Sequence, residues 1–271
     1  MFRESADAWS LTAQGTTGHS EATGQKGCDS PDGLCTCGGS CTCGGMSSCA
    51  VGTAHELAES LGRAVDARDC RLFEHSTVVA DVCSLLAQAH GLTALQADVV
   101  HMAGHLHDVG KIGIPDSILQ KPGPLTSLEW EIMRRHPKIG ADILRPVRVF
   151  RGKPGVCEIV LAHHERWDGL GYPYGIGGRD IPLGARIVAV ADALSAMTEE
   201  RPYRRSLSLD EALAEVERCS GSHFDPCVVR DLLSVRRELH GLLRKAPPSP
   251  LWAGPKAARA VLERRNLAAT A

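Results

Sequence analysis

The sequence sets His107 beside Asp108 and places Lys111 three positions on, so an imidazole, a carboxylate and an ammonium emerge from one short stretch. The flanking residues are largely apolar, and such groups are costly to bury unless they pair with one another or with an ion. A second histidine pair, His163 and His164, comes just before a glycine-rich segment, and Asp192 interrupts the apolar run VAVADAL. Neutral imidazoles and carboxylates are ligands for divalent transition cations, and helix ends can converge to bring them together. A lone buried histidine is more often a hydrogen-bonded core residue. Recurrence of these residue types beside carboxylates points instead to a shared metal centre.

Helices must position these groups. Hydrophobic residues make up 43% of the chain and aromatic residues 4%, which implies a core of Ala, Leu, Val and Ile and an all-α domain. Helix starts carry capping-box spacing at Thr53 with Glu56, Thr93 with Gln96, Thr126 with Glu129 and Ser208 with Glu211, while Asp225 and Pro226 suit an N-cap followed by Pro at the first helical position. Strand-like alternation is confined to IVAV at 187–190, inside a helix-compatible stretch. The Gly- and Pro-rich segment 169–184 cannot be helical and is either a built loop or a disordered one. The 271 residues suit one catalytic-sized unit. Its expected parts are a disordered Cys/Gly-rich leader over 1–52, a helical domain over 53–245 and a basic C-terminal tail over 246–271. A formal net charge of −2 argues against a nonspecific binder of nucleic-acid polymers or a polybasic membrane coat. No apolar run nears the roughly 18 residues needed to span a bilayer, so a soluble, cytoplasmic protein is expected.

Three stretches carry a resemblance: HLHDVGKIGIPDSILQKPGPLTSLEWEIMRRHPKIGADIL, HHERWDGLGYP and ARIVAVADALSAMTEERPYR. In order and spacing, from about Asp66 to Leu233, the chain resembles the HD-GYP family of metal-dependent phosphodiesterases that degrade cyclic di-GMP. The resemblance implies an HD-type helical bundle with an extended GYP loop and two divalent ions, iron or manganese. His75, His107, Asp108 and Asp192 would hold one ion, and Asp108, His136, His163 and His164 the other, with Asp108 bridging. Cations about 3.5 to 4 Å apart would activate a bridging hydroxide, with Lys111 neutralising the attacked phosphate. The implied reaction opens cyclic di-GMP to linear pGpG, onward cleavage to GMP being left open. Tyr172, Arg201 and Arg204 would contact the guanine and phosphate groups, and Gly171 and Gly169 would let the backbone turn. Arg134, Arg135, Lys138, Arg145, Arg148, Arg151 and Lys153 face only Asp142, a local positive excess that either draws in an anionic substrate or is a solvated face. His101 and His105, spaced i and i+4, could bind a metal in principle, but they fall where the family has apolar residues, which favours packing.

Two departures from the family bear on the site. Members with a third ion carry Glu four residues before the first histidine, and Arg71 stands there; Glu74 projects in another direction, so two ions are expected. Ser195 replaces an Asp that resembles an acceptor for the guanine edge. Its loss should weaken binding by about 10- to 150-fold and makes a related cyclic dinucleotide a plausible substrate. A noncatalytic module that docks a cyclase domain is the other reading, and the filled metal positions argue against it. The full HHExxDGxGYP stretch argues against a phosphohydrolase for other nucleotides. In the leader, CTCGGS and CTCGGM form a near repeat around Cys35, Cys37, Cys41 and Cys43, compatible with an inert tail, soft-metal binding or redox sensing. Cys28 and Cys49 belong to the same leader, and the scattered Cys70, Cys83, Cys157, Cys219 and Cys227 read as small core or surface residues. No sensory module is recognisable in the sequence, so control is expected from the leader, another protein or expression level. The residues leave the oligomeric state open.

Overall fold

Local sequence signals set most helix starts. Thr93, Thr126 and Ser208 each accept a hydrogen bond from the backbone N–H three residues on, and the side chains of Gln96, Glu129 and Glu211 return the bond. Asp225 caps the helix that opens at Pro226 by accepting from the Cys227 N–H. The computed structural model describes residues 48–68, 75–151, 155–199 and 206–244. Most of the expected leader, the whole tail over 246–271, Cys70, Arg71, Glu74, Lys153, Arg201 and Arg204 lie outside the described residues.

The elements are α1 (Ser48–Arg68), α2 (His75–Ala89), α3 (Ala94–Leu106), α4 (Asp116–Leu119), α5 (Ser127–Met133), α6 (His136–Leu144), α7 (Val156–Ala162), α8 (Leu183–Thr198), α9 (Leu209–Arg218), α10 (Pro226–Ser234) and α11 (Arg236–Arg244). Short 3₁₀ turns occupy Val109–Gly113, Arg148–Phe150 and Gly178–Asp180. Among the described residues there is no strand; Ser220 and Phe224 form an isolated bridge, and the IVAV run lies inside α8. No described helix is long and apolar enough to cross a membrane. One expectation differs. Thr53 does not start a helix, because α1 opens at Ser48; with no proline in Ser48–Gly52 to stop it, the helix runs past the capping-box spacing.

At the centre, α2 and α3 pack along each other and both lie against α8. Leu86, Met102, Leu106, Ile187 and Leu194 are fully buried between them. Two glycines bring backbones close enough to shape the site. A Cβ on Gly104 would lie 2.7 Å from Ala80 Cα, so α3 sits tightly on α2. A Cβ on Gly110 would lie 1.9 Å from the His136 carbonyl oxygen, so the turn after Asp108 meets the start of α6 at backbone contact.

Gly110→Ala must therefore push α6 away. It is expected to destabilise the domain by at least about 1–3 kcal/mol in urea unfolding. Gly241→Ala, at an open position within α11, is expected to stabilise by up to about 1 kcal/mol. Equal midpoints for the two variants would contradict the contact at Gly110.

Candidate metal centre

The seven expected metal ligands come from separated stretches and meet in one buried cluster. His75 begins α2, and its placement depends on Asp66 of α1, whose Oδ2 accepts from the Ser76 N–H at 3.0 Å and from Ser76 Oγ at 2.6 Å. His75 Nε2 lies 3.1 Å from Asp192 Oδ1 on α8. His107 caps the C-terminus of α3, with Asp108 next to it leading into the 3₁₀ turn. His136 starts α6, and His163 follows α7 with His164 beside it. Asp108 is only 6% exposed, and its oxygens are shared out: Oδ2 lies 2.6 Å from Lys111 Nζ and 3.3 Å from His107 Nε2, while Oδ1 lies 3.3 Å from His136 Nε2.

The hydrogen bonds choose the tautomers. Nδ1 of His107, His136 and His163 lies at 2.7, 2.9 and 2.7 Å from the carbonyls of Gly104, Met133 and Val160, so each Nδ1–H donates to its own helix; Nε2 of His136 and His163 keeps a lone pair, and Nε2 of His107 is the atom that carries a proton or a metal. Nε2 of His136 and His163 then face each other at 3.4 Å, and the buried Nε2 of His107 has no hydrogen-bond partner. Facing lone pairs repel, and an orphaned buried nitrogen is expensive. A cation between His136 and His163 removes the first cost and one bound by His107 in place of its proton removes the second, so the donor set fits divalent metal. One group of donors comprises Asp108, His136, His163 and His164, another His75, His107 and Asp108, with Asp192 beside the second.

Electrostatics follow from burial and these neighbours. Burial alone would raise the Asp108 carboxyl, but Lys111 and the imidazoles of His107 and His136 hold it well below the usual carboxylate range. Asp192 is likewise lowered against its burial by His75 and His107. Burial lowers His136 to about 3 and His164 to about 4, so both stay neutral. Burial would also lower His107, yet Asp108 and Asp192 outweigh it and raise the group to about 9.

The GYP segment is a built loop. Trp167 and Asp168 N–H groups donate to the carbonyls of His223 and Ser222 at 3.1 and 2.9 Å, and Glu165 Oε1 accepts from the Tyr174 N–H at 2.7 Å. Tyr172 stacks on His164 with ring centroids 4.8 Å apart, and the Arg134 guanidinium sits 5.6 Å over the Tyr172 ring. A Cβ on Gly171 would lie 2.4 Å from the Arg166 nitrogen, so the backbone itself occupies that space. Of the basic residues between 134 and 151, Arg134 reaches Tyr172, Arg145 pairs with Asp142 at 2.8 Å, and Arg151 bonds to the carbonyls of Arg145 and Pro146.

Ser195 departs from its expected substrate-facing place. It is 4% exposed, and its Oγ lies 3.1 Å from His75 Nδ1. Ser195 and Asp192 hold the His75 ring from its two nitrogens, Nδ1 on Ser195 Oγ and Nε2 on the carboxylate, which fixes its orientation at the centre. Helical rotation turns position 195 of α8 toward α2 rather than toward open space. Arg68 is a further residue that the motifs did not mark: its guanidinium bonds the carbonyls of Lys111, Ile112 and Ile114 at 2.8, 2.6 and 2.8 Å, clamping the turn that carries Lys111. Only the folded chain brings these distant partners together.

The HD domain family model matches residues 59–228, and the chain belongs to that family. It is 41% identical over 190 residues to a Thermotoga maritima protein named cyclic di-GMP phosphodiesterase, a match that covers 70% of this chain and 51% of that one. It is 43% identical over 184 residues to the Xanthomonas campestris cyclic di-GMP phosphodiesterase response regulator RpfG, covering 68% and 48%. A Vibrio cholerae 3'3'-cGAMP-specific phosphodiesterase 2 is 42% identical over 182 residues, covering 67% and 34%. The chain thus spans about half or less of these relatives' lengths. The crystal structure of a V. cholerae cyclic GMP-AMP specific phosphodiesterase has the same fold, with a TM-score of 0.54 at 23% identity over 71% of this chain and 51% of that one.

Two outcomes are expected. The raised His107 keeps a proton on the metal-free centre below about pH 9, while a metal needs the neutral ring; Mn2+ loading near pH 7.5 should release about one proton per chain. Apparent affinity should rise with pH and level off above about 9. Calorimetry in buffers of different ionisation enthalpy checks this, and loading without proton release would refute it. Ser195→Ala, which removes the hydrogen-bond partner of His75 Nδ1, should weaken metal binding about 10- to 100-fold. An unchanged dissociation constant would deny Ser195 that part.

Proposed function

We propose that the chain is a binuclear metal-dependent phosphodiesterase that opens a cyclic dinucleotide, with cyclic di-GMP as substrate and linear pGpG as product. The reading rests chiefly on one observation: Asp108 belongs to both donor groups at once, one oxygen toward His136 and the other toward His107 and Lys111. His75, His107, Asp108 and Asp192 would hold one ion and Asp108, His136, His163 and His164 the other. Nitrogen and oxygen donors without a thiolate suit iron or manganese. When bound, a pair of such cations activates water and offsets charge that builds on the phosphodiester.

The chain's own residues supply the rest. Lys111, held against Asp108 and steadied by the Arg68 clamp on its turn, places a positive charge where the phosphate would approach. Tyr172, stacked on His164 with the Arg134 guanidinium over its ring, sets an aromatic group and a cation side by side at the rim, where an anionic nucleotide would approach. Gly171 lets the loop backbone close behind it. Filled ligand positions favour hydrolysis over a purely docking role. A 3'3'-cGAMP substrate is the second reading, favoured by a relative of that specificity as similar to this chain as those named for cyclic di-GMP.

Metal analysis of anaerobically purified protein, followed by assay against a panel of cyclic dinucleotides, tests the proposal. Two ions per domain and linear product from cyclic di-GMP are expected, and Asp108→Ala should remove both ions and turnover. Hydrolysis retained by that variant would place the chemistry elsewhere, and preference for 3'3'-cGAMP would select the second reading.

A further inference from the structure

The face of α3 turned away from the centre carries a second cluster. His101 and His105 lie one turn apart on that helix, and His55 of α1 joins them. The His55 and His101 rings stack at 4.8 Å between centroids and 7° between planes, and His105 stands edge-on to both at 5.7 and 4.8 Å. One ligand atom from each of the three imidazoles lies within 4.8 Å of the others. The cluster shares no residue with the centre around Asp108. Residues two apart on a helix point to different sides, so His105 faces α1 while His107 faces the buried cluster.

Packing alone does not account for this arrangement. His105 is 3% exposed, yet its Nδ1 has no hydrogen-bond partner, a cost that a core histidine ordinarily avoids. His101 Nδ1 lies 2.9 Å from the Ala80 carbonyl; as its N–H donor it leaves Nε2 as a lone pair on a fixed ring. Burial together with His55 disfavours the charged form of His101, against the pull of Asp81 and Asp98. Asp81 and Asp98 set negative charge beside His101, while Glu59 of α1 is paired with Arg63 at 2.8 Å, whose cation acts on His105. The approach of the two helices is fixed by Gly62, where a Cβ would lie 2.5 Å from the His105 carbonyl oxygen.

We infer that His55, His101 and His105 form a separate divalent transition-metal site that fastens α1 to α3, taking zinc with water in the fourth position. Three imidazoles whose ligand atoms lie within 4.8 Å of one another are a zinc donor set that a small side-chain adjustment would close around an ion, and half-buried His55 leaves the outer side open to solvent. The site stands independently of the reaction assigned to the Asp108 centre.

Zinc counting on the full chain tests it. Protein loaded with Mn2+ is equilibrated with Zn2+, desalted and analysed for metal. Wild type should retain one more zinc per chain than His55→Ala or His101→Gln, whatever the cysteines of the leader bind, since the leader is common to all three. Asp108→Ala should keep that equivalent, which separates this site from the other centre. Zinc at about a hundredfold over its dissociation constant should raise the wild-type unfolding midpoint by roughly 5–10 °C more than that of the variants. Wild type alone supplies a check free of folding defects: bound zinc should shield His55 and His101 from diethyl pyrocarbonate while His240 stays reactive. Equal zinc counts in wild type and both variants, or labelling of His55 and His101 unaffected by zinc, would overturn the inference.

Discussion

A carboxylate buried among imidazoles is the constraint on which the rest of this molecule is arranged. Asp108 would be untenable in a packed helical core without compensating charge, since an unpaired buried ion costs about 3–5 kcal/mol. Lys111 meets one oxygen and the imidazoles of His107 and His136 divide the rest, yet the lone pairs of His136 and His163 still confront each other. The centre is therefore complete as a protein structure only with cations in mind. Its electrostatic imbalance appears at His107, whose raised proton affinity marks where positive charge is wanted.

Much of the surrounding architecture serves to hold that cluster together. Gly104 and Gly110 remove side chains where α3 meets α2 and where the turn meets α6, so His107, Asp108 and His136 approach through backbone contact. Asp66 and Arg68, both on α1, hold the start of α2 and the turn bearing Lys111. The GYP loop is built in the same manner: Glu165 and the backbone of Ser222 and His223 satisfy its N–H groups, which places Tyr172 against His164. Precision at the centre comes from groups that themselves lie outside the donor set.

Helix α3 carries two clusters on two faces. His107 at its end turns inward, and His101 and His105 turn toward α1. The resemblance to family motifs favoured a packing role for His101 and His105, because a motif records positions along a chain and not the third imidazole that an adjacent helix supplies.

What the sequence determined by itself was local or carried by unbroken strings of residues. Capping boxes at Thr93, Thr126 and Ser208 and the Asp225 cap could be read because each bond spans three residues or fewer, and the HD, HH and GYP motifs because their ligands are short-range neighbours. Thr53 misled because capping spacing alone does not say whether the preceding residues continue the helix. Ser195 misled because the rotation of α8 about its axis, set by packing on α2 and α3, decides which neighbour its hydroxyl meets. Arg68, Asp66 and His55 carried no signal at all, since their partners are distant in sequence and adjacent only in the fold. Tertiary structure alone decided those contacts, because side-chain hydrogen bonds and shared ligands depend on interatomic distance, which chain order does not encode.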